Sequence, residues 1–94
     1  MSISFEWHSS KATSNFKKHG VGFEEAMTVF ADPLARIFDD PDHSGEEQRE
    51  IIVGQSAVRG LLVVSFAERR PLVRILSARR ATRRERRDYE ESVP

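Results

Sequence analysis

The sequence predicts an α+β fold: an antiparallel β-sheet meander, two N-terminal helices packed on one face of it, and a basic C-terminal helix. Three observations predict it. Two stretches with apolar residues at helical spacing come early, at Lys11–His19 and Phe23–Phe30. Four short apolar runs then follow one another between Leu34 and Ser77, with connections too short for crossover helices; such an order builds an antiparallel meander. Finally, the last run gives way at Ala78 to a dense series of arginines that opens with a helix-start signal.

Each element has a local reason. Ile3-Ser4-Phe5-Glu6-Trp7 alternates apolar and polar, as a short strand does. Ser9 or Ser10 can cap the first helix, whose face would carry Ala12, Phe16 and His19 with Asn15 and Lys18 beside it. Gly20 is placed to end that helix in a left-handed conformation, with Val21 as the apolar contact that follows. Glu24 and Glu25 in the first turn of the second helix suit its dipole, and Phe23, Ala26, Met27 and Phe30 form its stripe. Asp32-Pro33 stops it. Strands are expected at 34–38, 49–55, 61–66 and 72–77, the last two joined by a turn at Glu68-Arg69-Arg70-Pro71. Thr82 and Glu85 stand three apart, the spacing of a capping box that starts a final helix.

Ninety-four residues suffice for a single domain, 1–94, with one modest core. With no cysteine, disulfides and thiolate metal sites are excluded. No apolar run approaches the ~18 residues of a membrane span, and no signal peptide opens the chain, so a soluble cytoplasmic protein without a membrane partner is expected. The zero net charge conceals an asymmetry: residues 1–50 hold ten acids and five bases, whereas residues 51–94 hold ten arginines and five acids. A chain polarised in this way suits a polyanion on one side and a different partner on the other.

The arginines of the last helix oppose its stability, because cations at a helix start are disfavoured by roughly 0.3–1 kcal/mol each. At ~100° per residue Arg83, Arg84, Arg86 and Arg87 share one arc, with Glu85 and Tyr89 opposite. A bound polyanion relieves that repulsion. The alternative is a solvated helix in which Arg84, Arg86 and Arg87 pair with Asp88, Glu90 and Glu91 one turn on. The acidic stretch 39–47 offers Asp39, Asp40, Asp42, His43 and Glu46, but in no calcium-loop register, and reads as a solvated connection. His43 in that loop and His19 at a helix end are candidate proton carriers, since an ordinary histidine titrates near neutrality; a helix-end packing role is the other reading of His19. Trp7 reads as core before it reads as a stacking platform for a base.

Phe5-Glu6-Trp7, Lys11…Asn15…Lys18-His19-Gly20-Val21, Phe23-Glu24-Glu25-Ala26 and Ile75-Leu76-Ser77-Ala78-Arg79-Arg80-Ala81-Thr82-Arg83-Arg84-Glu85-Arg86 together resemble the BrnT family of toxins from type II toxin–antitoxin systems. The resemblance spans nearly the whole chain. It departs at His8-Ser9, where the family more often has Asp-Pro, and at Gly22, where Ser is common. The resemblance implies a RelE-like fold, RNA cleavage that arrests translation, no cofactor, and a BrnA-type antitoxin as partner. Such an antitoxin dimerises through a ribbon-helix-helix domain and represses the shared operon, so DNA is met only indirectly, in a dimer or a toxin–antitoxin heterotetramer.

RNA cleavage needs no metal when the 2′-hydroxyl attacks the adjacent phosphorus; it needs a base, an acid and cations that stabilise the phosphorane. On this expectation Arg79 and Arg69 contact the reacting phosphate. Lys18, Arg74, Arg80, Arg83 and Arg84 hold the flanking backbone, and Glu68, His19 and His43 are the proton-transfer candidates. Two other classes compete: a nucleic-acid-binding module without catalysis, and an interaction protein whose basic face docks an acidic partner.

Overall fold

A computed structural model describes residues 3–40, 48–58 and 60–92 of the chain. Strand β1 (Ser4–Glu6) leads into helix α1 (Ser9–His19) and helix α2 (Phe23–Thr28), which tightens into a 3₁₀ turn at Val29–Ala31. Strands β2 (Arg36–Asp39), β3 (Arg49–Gln55), β4 (Leu61–Arg69) and β5 (Leu72–Arg80) follow, then helix α3 (Arg83–Ser92). The expected order of elements holds, and the four-strand meander is there. The sheet, however, has five strands in the order β1-β5-β4-β3-β2, and β1 pairs with β5 in parallel. The sheet is therefore mixed and not purely antiparallel. The intervening α1, α2 and meander carry the chain from β1 to the far side of β5, which is a pairing that short-range patterning does not reveal.

One sheet face packs against α1 and α2. Ile52, Leu62, Val64, Phe66, Val73, Ile75 and Ala78 form a core with Val21, Phe23, Ala26 and Val29. Phe30 stands edge-on between Phe5 and Phe66, with ring centroids 5.0 Å away in both cases. Trp7 packs half-buried on Phe23 at 5.9 Å, in keeping with its reading as a core residue. Gly54 is required by this packing: a Cβ there would lie 2.9 Å from the Ala35 side chain and 3.0 Å from Val29.

Helix α1 differs from expectation. It begins two residues early, with His8 at the cap position making no side-chain cap bond, so neither Ser9 nor Ser10 caps it. Gly20 does end it in the left-handed conformation (φ 71°), its N–H donating to Phe16 O at 2.8 Å. The buried side chain is Asn15, and Phe16 is 58% exposed. The cause lies in β5, whose outer edge beyond Arg74 has no strand beside it. Asn15 fills that role. Its Nδ2 donates to the carbonyls of Ala78 (2.8 Å) and Val21 (3.0 Å), and its Oδ1 accepts from the Ala78 N–H (3.0 Å). Backbone polar groups left bare in the interior would cost about 1–3 kcal/mol each. A buried amide that satisfies three of them thus outranks a phenylalanine for the inward position.

The capping box forms as the spacing predicts. Thr82 Oγ1 accepts from the Glu85 N–H (3.1 Å) while Glu85 Oε1 accepts from the Thr82 N–H (2.8 Å). Tyr89 is buried and the arginines of α3 point away from it, as the helical arc requires. The Tyr89 hydroxyl donates to Asp32 Oδ2 at 2.7 Å, and Asp32 also accepts from the N–H groups of Gln55 (2.7 Å) and Leu34 (2.9 Å). One carboxylate thereby ties α3 to the end of β3 and to the chain after α2. Burial alone would raise the Asp32 carboxyl; the three hydrogen bonds outweigh it and hold the group below its ordinary value.

Candidate nucleic-acid interface

A β-bulge decides which cations share a surface. Ser65 pairs with Ser77 but Phe66 pairs with Ile75, so Leu76 is an extra residue in β5. Strict alternation along β5 would put Arg74 with Arg80 and turn Arg79 to the other side. The inserted residue reverses this: Arg74, Ser77 and Arg79 face the side of the sheet opposite the core, and Arg80 does not. Across the ladder, Ala67 and Arg69 of β4 and Arg49 of β3 lie on that same side.

The two central arginines are each oriented by a carboxylate. Arg74 Nε donates to Glu6 Oε2 of β1 at 3.1 Å, and its Nη1 stands 3.4 Å from His8 Nε2. Arg79 makes a bidentate pair with Glu85, Nη1 to Oε1 at 2.8 Å and Nη2 to Oε2 at 2.9 Å, and Nη1 also reaches the Arg80 carbonyl at 3.3 Å. The hydrogen bonds from Arg79 hold the Glu85 carboxyl down at about 2. A guanidinium has five N–H donors. Three of those on Arg79 are used, so its Nε–H and one Nη2–H remain for an outside acceptor.

Two cavities flank this surface, and their chemistry differs. One, about 360 Å³, runs along α1 beside the β5 bulge. Lys11, Lys18 and His19 line it with Ser10, Ser14, Asn15, Leu76 and Ser77, and among the described residues no carboxylate does. The other, about 270 Å³, lies between α3 and the sheet. Its floor is Phe38, Ile51, Val53, Val63 and Tyr89, and its charged rim mixes Arg36 and Arg79 with Asp39, Glu85 and Asp88. In a chain of zero net charge, a cavity whose charged lining is entirely cationic is the one suited to an anion.

The expected site residues sort accordingly. Lys18, His19 and Ser77 line the same groove, and Ser77 shares its strand face with Arg74 and Arg79. Arg69 is six residues along β4 from Val63, the partner of Arg79, which is about 20 Å at strand rise. The two arginines therefore start from distant positions on this face, and Arg69 lines neither cavity. Arg80 turns to the opposite side, with its guanidinium near Gly60, and so leaves the group. Glu68 alternates away from Arg69 and stands near Glu50. Burial, then the charges of Glu68 and Asp39, raise the Glu50 carboxyl. Arg83 and Arg84 are exposed at the start of α3, and the arginine–acid pairs of the alternative reading of that helix do not form among the described residues. His43 lies outside the described residues.

Lys11, Ser14 and Ser77 in the groove, and the Glu6–Arg74–His8 contact, escaped the sequence reading. The lysines left a signal: residues seven apart in a helix stand two turns apart on one face. Ser77 and His8 left none, since the bulge and the parallel β1–β5 pairing bring them into place.

Comparison with known proteins supplies the context for this surface. The chain matches the family model described as "Ribonuclease toxin, BrnT, of type II toxin-antitoxin system" over residues 7–85. Among curated proteins none matches. Its fold is similar to the crystal structure of the Brucella abortus ribonuclease toxin BrnT, with a TM-score of 0.66 over 87% of this chain and 100% of that one, at 19% identity. With the family model covering most of its length, the chain belongs to the BrnT ribonuclease toxins of type II toxin–antitoxin systems.

Proposed function

We propose that this chain cleaves RNA without a metal ion, at the junction of the cationic groove and the face of β5 that carries Arg74 and Arg79. The observation that carries the reading is a groove lined by Lys11, Lys18 and His19 that also includes Ser77, a residue whose strand face is bracketed by two arginines. The 2′-oxygen attacks phosphorus as its proton passes to a base; the bond to the 5′-oxygen breaks as that oxygen takes a proton from an acid. The products are a 2′,3′-cyclic phosphate and a free 5′-hydroxyl. Arg79 offers its two remaining N–H groups to the phosphorane, and Arg74 and Lys18 add charge beside it. Of the two described proton-transfer candidates, Glu68 and His19, His19 is the one in the groove. Arg83 and Arg84 at the start of α3 hold the strand as it leaves. Cleavage in the cytoplasm would arrest translation, and a BrnA-type antitoxin would neutralise it.

Incubating the purified protein with end-labelled RNA, with and without EDTA, tests the reading. Fragments with cyclic phosphate ends that persist under chelation are expected. Cleavage abolished by EDTA would remove the metal-free mechanism, and retained RNA that stays intact would leave a binding module.

A further inference from the structure

The groove along α1 is longer than the chemistry above uses. Lys18 and His19 line it toward the C-terminal end of α1, while Lys11 stands seven residues earlier in the same helix. Two helical turns separate the lysines, about 10 Å along the axis. Ser10 and Ser14 lie between and beside them, so the wall offers ammonium groups and hydroxyls in alternation. The opposite wall is the bulge of β5, where Leu76 and Ser77 replace a regular pairing edge. Phe16, the exposed aromatic of α1, lines neither wall.

We propose that this groove is a track for single-stranded RNA, in which Lys11 with Ser10 and Ser14 holds the backbone next to the nucleotide being cut. The proposal rests on the ribonuclease reading for the identity of the polyanion, and it names the substrate class. A space of about 360 Å³ is at the small end of the roughly 300–1,000 Å³ of ligand pockets and matches one extended nucleotide, and two ammonium groups in file along one helix follow the backbone of one strand. Ammonium and hydroxyl groups recognise phosphate and sugar, and among the described residues the lining has no Phe, Tyr or Trp, its one ring being the His19 imidazole at the end assigned to the cut nucleotide. The grip is thus on the backbone and indifferent to sequence. Asn15 forms the base of the groove and is consumed by its three backbone hydrogen bonds, which keeps the wall rigid but leaves it no role in reading bases.

The test measures a fluorescent single-stranded oligoribonucleotide, and a duplex of the same sequence, against the purified full chain and two variants. Lys11→Ala removes a groove cation, and Lys17→Ala removes an exposed lysine of the same helix that does not line the groove. Expected are tighter binding of the single strand than of the duplex and, for Lys11→Ala, a KM raised about five- to tenfold. The slope of log affinity against log salt should fall by about 0.7 for that one lysine. Lys17→Ala should follow the unmodified chain. Cleavage in which the two variants behave alike, or equal binding of the duplex, overturns the track and leaves the ribonuclease reading intact. Lys11-dependent binding of a single strand that is never cut supports the track and removes the nuclease.

Discussion

Two seams join helices to this sheet, and they are built on opposite plans. Along α1 the buried polar residue, Asn15, is neutral and spends its hydrogen bonds on the backbone, so the lysines beside it keep their charge for something outside. Under α3 the anchors are charged. Glu85 holds Arg79 through both oxygens, Asp32 takes the Tyr89 hydroxyl, and the cavity between them is apolar with a mixed rim. The difference teaches where to look for a polyanion. An arginine in a bidentate pair with a carboxylate contributes first to holding a helix, whereas a lysine beside a satisfied amide contributes mainly to its surroundings.

Removing the neutral anchor is the strongest test of that contrast. Asn15→Ala leaves the Ala78 N–H and the carbonyls of Ala78 and Val21 without their partner, and should cost on the order of 3–5 kcal/mol. Urea titration would register it as a large drop in the midpoint; a loss under 1 kcal/mol would mean that water replaces the amide without penalty.

Arg79→Ala comes next. Its spare donors face the proposed phosphate, so kcat should fall about 100-fold or more, the usual scale for removing one oxyanion donor. Because the same change frees Glu85, Arg79→Lys serves as the check on folding: it keeps the charge but not the fork, and should remain folded and still cleave slowly. Undiminished growth arrest by the alanine variant would take Arg79 out of the site.

Glu85→Gln probes the charged anchor alone. The gap between an ordinary carboxyl at 4.5 and about 2 in the folded chain would correspond to roughly 3 kcal/mol if fully buried. With side chains 40% and 32% exposed, solvent screening reduces this to about 1–2 kcal/mol. A carboxyl whose folded value is depressed contributes fully above its unfolded value. The difference between the two proteins should therefore be constant above about pH 4.5 and vanish as pH falls toward 2. Denaturation midpoints that keep a fixed gap down to pH 2 would contradict the pairing.

The smallest effect is expected for Tyr89→Phe, about 1 kcal/mol for a hydrogen bond to a carboxylate whose other partners remain. Burial, then the bond to Asp32, pushes the Tyr89 hydroxyl up to about 12. A raised folded value means that this stability is complete below pH 10 and lost as pH climbs toward 12. Phenolate absorbance followed against pH checks it directly: a Tyr89 that titrates near 10 in the folded protein would separate it from Asp32.

Much of this molecule was legible from local rules. The order of elements, the Gly20 helix stop, the β3 boundaries and the Thr82–Glu85 capping box each depend on residues within a few positions of one another, where spacing translates directly into geometry. The same holds for the α3 arc that buries Tyr89 and exposes the arginines. Residue types at the candidate site were readable too, since Lys18, His19, Arg74 and Arg79 stand out by chemistry alone.

Their grouping was not readable, because it depends on contacts between distant parts of the chain. A single extra residue at Leu76 turns Arg79 to the side of Arg74 and sends Arg80 away, in a strand that runs three residues past the expected 72–77. The parallel pairing of β1 with β5 brings Glu6 and His8 to Arg74 across 66–68 positions. The unpaired β5 edge likewise draws Asn15 inward in place of Phe16 across 63 positions. Period and spacing specify which way a side chain points within its own element; only the packing of elements specifies what it then points at.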